Sequence, residues 1–256
     1  GEACIHRNVG PGDGTLATRV RLLKAARAAD ILIEHFEFEV RRQGEPVYSG
    51  TTSFGFFPPE ALAGQAGLRP APEGLDPFGG DAAGDAPADL EDLPPRDPDD
   101  PSPGSCDPFG TPGRALRMVD GIEAWRPGAG DRGRDCLRGF KRIDPQEWFF
   151  RAHFFQDPVW PGSLGIEALL QLIRHAAGRR SGDRREGLTL ELLTGQPHRW
   201  QYRGQVLPTN RRAVVEALVA ESANAEGATW RGDGYLQADG LYIYKMQDFG
   251  LRAHRR

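Results

Sequence analysis

Cysteine is scarce in this sequence: Cys4, Cys106 and Cys136 stand far apart, and no two form a C-x-x-C pair. An odd, scattered set supports neither a disulfide framework nor a cysteine-based metal site, and it fits a reducing cytoplasm. No run approaches the roughly 20 apolar residues of a membrane span, and the start shows no signal-peptide pattern. Cations are not in excess either. The 32 Lys and Arg face 36 Asp and Glu, a formal net charge of −4 that argues against general nucleic-acid binding. No phosphate-binding glycine loop and no cluster of metal ligands is evident. We therefore expect a cytoplasmic protein without metal, nucleotide or other cofactor.

Hydrophobic residues make up 39% of the 256, below the usual level, yet several stretches are apolar enough to build a core. The low average traces to Pro70 to Pro112, dense in Pro, Gly, Asp and Ala, which buries too little apolar surface to offset its ordering entropy. This divides the chain into residues 1–69, a linker at 70–112, and a unit at 113–256. Residues 15–24, 30–40 and 47–57 read as three strands, with Arg42-Gln43-Gly44-Glu45 as a hairpin turn. The pattern returns at 213–219, 229–236 and 241–249, with Ala238-Asp239-Gly240 as the turn. Tyr48 and Phe54-Gly55-Phe56 echo Tyr244 and Phe249-Gly250-Leu251, so we read an internal repeat of three strands.

The richest stretch lies between the linker and the second repeat. Trp148-Phe149-Phe150 and Phe154-Phe155 flank His153 in what reads as an apolar strand, stopped by Asp157-Pro158 and Pro161-Gly162. A helix is expected from Ser163, whose hydroxyl can cap it. From Leu164 to Ala177 the apolar positions occupy more than one face, the pattern of a buried helix. Glu167 then sits in a buried helix, where a carboxylate costs several kcal/mol unless paired or protonated. An imidazole and a carboxyl in an apolar pocket suit proton exchange near neutral pH. Backbone N–H groups around Gly162 and Ser163 are placed to polarise a carbonyl oxygen. The plainer reading makes His153 and Glu167 satisfied core groups; their combination with the helix start favours a site.

The run from Asp144 to Gln171 resembles the active-site segment of the β-hydroxyacyl-acyl carrier protein dehydratase/isomerase family, which has a hot-dog fold. The likeness rests on Trp148-Phe149-Phe150, His153-Phe154, Asp157-Pro158-Val159, Pro161-Gly162, Leu164-Gly165, Ala168 and Gln171. A second, later likeness is Gly204-Gln205-Val206-Leu207-Pro208-Thr209. Together they cover roughly Arg114 to Arg252. In residues 54–68 the sequence also resembles the tandem dehydratase region of polyunsaturated fatty acid synthases.

The resemblance implies an α+β hot-dog fold, an antiparallel sheet wrapped around a central buried helix, preceded by a partial second hot-dog-like unit whose front half lies upstream. The alternative is that residues 1–57 add strands to the sheet of the second unit. It implies His153 as general base, Glu167 as general acid, and Gly162 as the N–H that binds the thioester carbonyl. Val159, Trp160, Ser163 and Gln171 would line the acyl site, with Trp160 and Ser163 departing from the family's usual residues. Aspartate is more usual at position 167 in the dehydratase/isomerase branch; glutamate occurs in the dehydratase-only branch. The implied activity is dehydration of 3-hydroxyacyl thioesters on an acyl carrier protein, with double-bond isomerisation as a variant. Implied partners are the carrier, other domains of a synthase and a second copy of the chain, because family sites draw the histidine and the acid from neighbouring units. A hot-dog thioesterase and a non-catalytic acyl-binding module are the alternatives. Arg179-Arg180, Arg184-Arg185 and Arg211-Arg212 would either be solvated or attract an acidic carrier.

Overall fold

The computed structural model describes residues 1–10, 12–69, 91–92, 112, 114–182, 187–224 and 227–255. The linker expected at 70–112 and the pair Arg184-Arg185 lie almost wholly outside them. The strands are β1 (Glu2–Ile5), β2 (Ala17–Ala28), β3 (Ile31–Arg42), β4 (Glu45–Phe56), β5 (Glu91–Asp92), β6 (Gly121–Arg126), β7 (Asp135–Arg142), β8 (Leu188–Leu192), β9 (Pro197–Tyr202), β10 (Arg212–Asn224), β11 (Gly227–Ala238) and β12 (Leu241–Arg255). The helices are α1 (Pro59–Ala63), α2 (Trp148–Ala152) and α3 (Gly162–Ser181).

One antiparallel sheet runs β2-β3-β4-β1-β9-β12-β11-β10-β7-β6-β5, with β8 paired to β12. The two three-strand repeats, β2-β3-β4 and β10-β11-β12, therefore share one sheet. They meet at a seam made by β1 and β9, where Ala3 faces His198. The correspondence between the repeats extends to single residues. Tyr48 lies opposite Ile5 of β1, and Tyr244 lies opposite Tyr202 of β9. The expected hairpins are present: Gln43-Gly44 and Asp239-Gly240 both take positive φ, the geometry that matches the twist of two paired strands.

The two repeats differ in their cover. The 20-residue α3 lies against β7, β10, β11 and β12, with Leu169, Leu172, Ile173, Ala176 and Ala177 completely buried. Gly165 lets helix and sheet touch closely, since a Cβ there would lie 2.8 Å from the Tyr244 ring. On the first repeat, strand pairing puts Val20, Phe38 and Gly50 on one face, and Arg21, Glu37 and Thr51 on the other. Among the described residues no helix covers the apolar face, and Val20, Leu22, Phe54 and Phe56 are more than half exposed.

Two local expectations are corrected. Residues around His153 form no strand: Trp148–Ala152 is a helical turn. Asp144 starts it, its carboxylate accepting from the Gln146 N–H at 2.8 Å and its carbonyl from the Glu147 N–H. The aromatic run reads as strand, but burial of Phe149 and Phe150 side by side against the core decides for the turn. The buried helix also begins one residue early. Pro161 takes the N-cap position, its carbonyl accepting from the N–H groups of Leu164 and Gly165, while Ser163 is exposed and makes no cap. Strands β1, β5, β6, β8 and β9 were not expected from the sequence.

Candidate active site

His153 follows directly on α2. Its backbone N–H donates to the Phe149 carbonyl, closing the turn, and its carbonyl accepts from the Val159 N–H, both at 2.9 Å. The loop between is tight: Phe154 N–H donates to Asp157 O at 2.8 Å. The half-buried imidazole contacts Val159 O through Nδ1 at 3.2 Å. A carbonyl can only accept, so Nδ1 carries the proton and Nε2 presents a lone pair. No described residue bonds to Nε2, which leaves it available as a base.

Val159 thus holds the histidine by its backbone, and its side chain is buried. Next to it, Trp160 donates its backbone N–H to Val206 O at 2.9 Å and packs its ring on Phe149. That contact joins the two sequence stretches, because Val206 belongs to the run Gly204 to Thr209. Trp160 Nε1 is buried with no partner among the described residues. After Pro161 the chain enters α3. The N–H groups of Gly162 and Ser163, in the first turn of α3, find no acceptor among the described residues, and they carry the positive end of the helix dipole.

Glu167 lies one turn and a half into α3, its side chain 23% exposed. Burial pushes its carboxyl up from the ordinary range, opposed by a hydrogen bond from Gln171 and the charge of Arg174. Gln171, one turn on, donates through Nε2 to Glu167 Oε1 at 2.8 Å and to Leu116 O at 2.6 Å. Its Oε1 accepts from the N–H groups of Met118 and Val119. All the hydrogen-bonding capacity of Gln171 is filled by the protein, so it orients Glu167 rather than reaching an acyl chain. Donation to Oε1 leaves Oε2 as the oxygen that can carry a proton toward a substrate.

Three of the described arginines of the basic clusters are engaged locally. Arg180 is ion-paired with Asp135, Arg179 lies over the Trp125 ring, and Arg212 pairs with Glu123 and lies over Phe140. Sequence reasoning missed Tyr244, a buried residue beside Gly162 and Gly165. Its only sequence signal was the echo with Tyr48.

A FabA-like domain matches residues 111–247, more than half of the chain and the whole of the site just described. The chain belongs to the FabA-like family. Its fold is the hot-dog, with the sheet curled about α3. One of the polyunsaturated fatty acid synthase subunits of Thraustochytrium sp. is 31% identical over 230 residues, which cover 86% of this chain and 15% of that protein. The FabA-like chain thus spans a small part of this relative's length. Among solved structures, a putative thioesterase II from Thermobifida fusca YX superposes with a TM-score of 0.52 at 15% identity, covering 99% of this chain and 77% of its own. The dehydratase domain from the CurJ module of curacin polyketide synthase gives 0.50 at 10% identity, covering 99% and 74%. Both matches run through the first repeat as well as the second, and both show the fold.

Proposed function

We propose that this chain dehydrates 3-hydroxyacyl thioesters to 2-enoyl thioesters. The observation that carries the reading is the bond from His153 Nδ1 to Val159 O, which leaves Nε2 as a base held by the segment that leads into α3, where the Gly162 and Ser163 N–H groups lack acceptors among the described residues. The thioester carbonyl accepts from the Gly162 N–H, which acidifies the C2 proton. His153 Nε2 removes that proton. Glu167, whose carboxyl burial pushes up from the ordinary range, donates its proton from Oε2 to the departing C3 hydroxyl, and water leaves. The proton taken by His153 then returns the site to its starting state through Glu167 or solvent. In the isomerase variant a C4 proton of the enoyl product is removed as a proton is delivered to C2, which moves the double bond from C2–C3 to C3–C4 with no net change in protons.

The acyl chain is carried on the phosphopantetheine of an acyl carrier protein, within a multidomain synthase. This part rests on membership of the FabA-like family and on the similarity to part of a polyunsaturated fatty acid synthase. Because sites of the family draw the histidine and the acid from neighbouring units, we place the acid of the complete site on a second copy, which makes the active species a homodimer. The reading needs no metal or nucleotide: the base, the acid and the carbonyl donor are all residues of the chain. Mass spectrometry of a 3-hydroxyacyl pantetheine thioester incubated with the protein tests it. Loss of one water supports the proposal. Release of free acid and thiol contradicts it and favours hydrolysis, the chemistry named for the Thermobifida structure of similar fold.

A further inference from the structure

The hydroxyl of Tyr244 has no hydrogen-bond partner among the described residues, although the residue is 1% exposed. Its counterpart in the first repeat is different. Tyr48 spends its hydroxyl on His198 Nε2 at 3.1 Å. Tyr202 lies edge-on to Tyr244 at 4.8 Å between ring centroids. Unlike Tyr48, Tyr244 thus keeps its hydroxyl unspent among the described residues.

The direction of that hydroxyl is given by Gly162. A Cβ built on Gly162 would lie 3.7 Å from the Tyr244 oxygen, with no closer atom. The ring itself is fixed, because Gly165 of the same helix packs on Cδ1 and Cε1. So a rigid phenol points at the first turn of α3, where the Gly162 and Ser163 N–H groups also lack acceptors. Burial and the neighbouring phenols Tyr202 and Tyr48 hold Tyr244 well above the usual phenol range, so it stays a donor at any working pH.

We propose that Tyr244 donates the second hydrogen bond to the thioester carbonyl, completing with the Gly162 N–H a two-donor site for the enolate oxygen. This rests on the reading of the helix start as the carbonyl site. No bond to Tyr244 breaks in the reaction; its hydrogen bond shortens as negative charge develops on the oxygen.

The test uses the intact protein saturated with a saturated acyl pantetheine thioester carrying carbon-13 at the carbonyl, read by infrared difference spectroscopy. The carbonyl stretch is expected to fall on binding to wild type, to recover part of that fall in Tyr244→Phe, and to fall further with 3-fluorotyrosine incorporated at position 244. In turnover, Tyr244→Phe is expected to lower kcat about 10²-fold, the usual loss for one such donor. The fluorinated protein keeps the ring and the hydroxyl, so it carries the test if the phenylalanine variant fails to fold. A band that responds to neither change overturns the inference, whatever the turnover. The probe cannot lose water, so the inference is tested separately from the dehydration.

Discussion

A histidine whose Nδ1 is held by a carbonyl has one tautomer, and the loss of that imidazole removes the base outright. His153→Ala is expected to lower the dehydration rate about 10²–10⁴-fold, the range for a positioned acid or base, measured as enoyl product formed per unit time. Glu167 has a consequence for stability as well. Its carboxyl is raised in the folded state, so the unfolded chain releases that proton first as pH climbs. Folded protein then binds more protons than unfolded, and stability falls with rising pH through the window between the two pKa values. Glu167→Gln removes this titration while keeping an acceptor for Gln171. The variant should melt higher than wild type at pH 8, with the gap narrowing toward pH 4 in calorimetry; a gap independent of pH would contradict the account. His153 and Glu167 were legible as unusual residues in apolar company. The role of Gln171 was not, because the backbone groups it binds, at Leu116, Met118 and Val119, are more than 50 residues away in the chain.

At the scale of elements, the buried helix was legible from its lack of a polar face, and the hairpins from Gln43-Gly44 and Asp239-Gly240. The turn at Trp148–Ala152 was not. Aromatic residues suit a pleated sheet and a buried helical turn equally, and a five-residue segment is too short for periodicity to separate them. Strand β9 escaped notice because Pro197–Tyr202 alternates weakly and is fixed by its neighbours β1 and β12. The close contact between α3 and β12 at Gly165 makes a sharp prediction. Gly165→Ala would put a methyl 2.8 Å from the Tyr244 ring. Helix or ring must move, at a cost of about 1–3 kcal/mol, the usual range for overpacking. Urea denaturation should report that loss, and a variant as stable as wild type would show the contact to be loose.

Across the whole molecule, the repeat seen in the sequence becomes two sets of strands joined at one seam. Residue spacing showed the repeat, but whether the copies share a sheet depends on β1, four residues whose pattern carries no signal of their own. Ala3 is 2% exposed there, between Gly50 and His198. Ala3→Arg should open the seam, seen as loss of amide exchange protection in β1 while β10 to β12 keep theirs. Equal protection throughout would mean that the seam tolerates a large cation. Among the described residues no helix covers the apolar face of the first repeat, whereas α3 covers the second, so the two copies share strands and pairing but the helix, the histidine and the acid belong to the second.

The central claim is that this arrangement removes water from a 3-hydroxyacyl thioester, and the most direct test is mass spectrometry of that thioester with wild type, His153→Ala and Glu167→Gln side by side. The account predicts a product lighter by one water with wild type and unchanged substrate with both variants. Free acid from the wild type, or water loss that survives both substitutions, would contradict it.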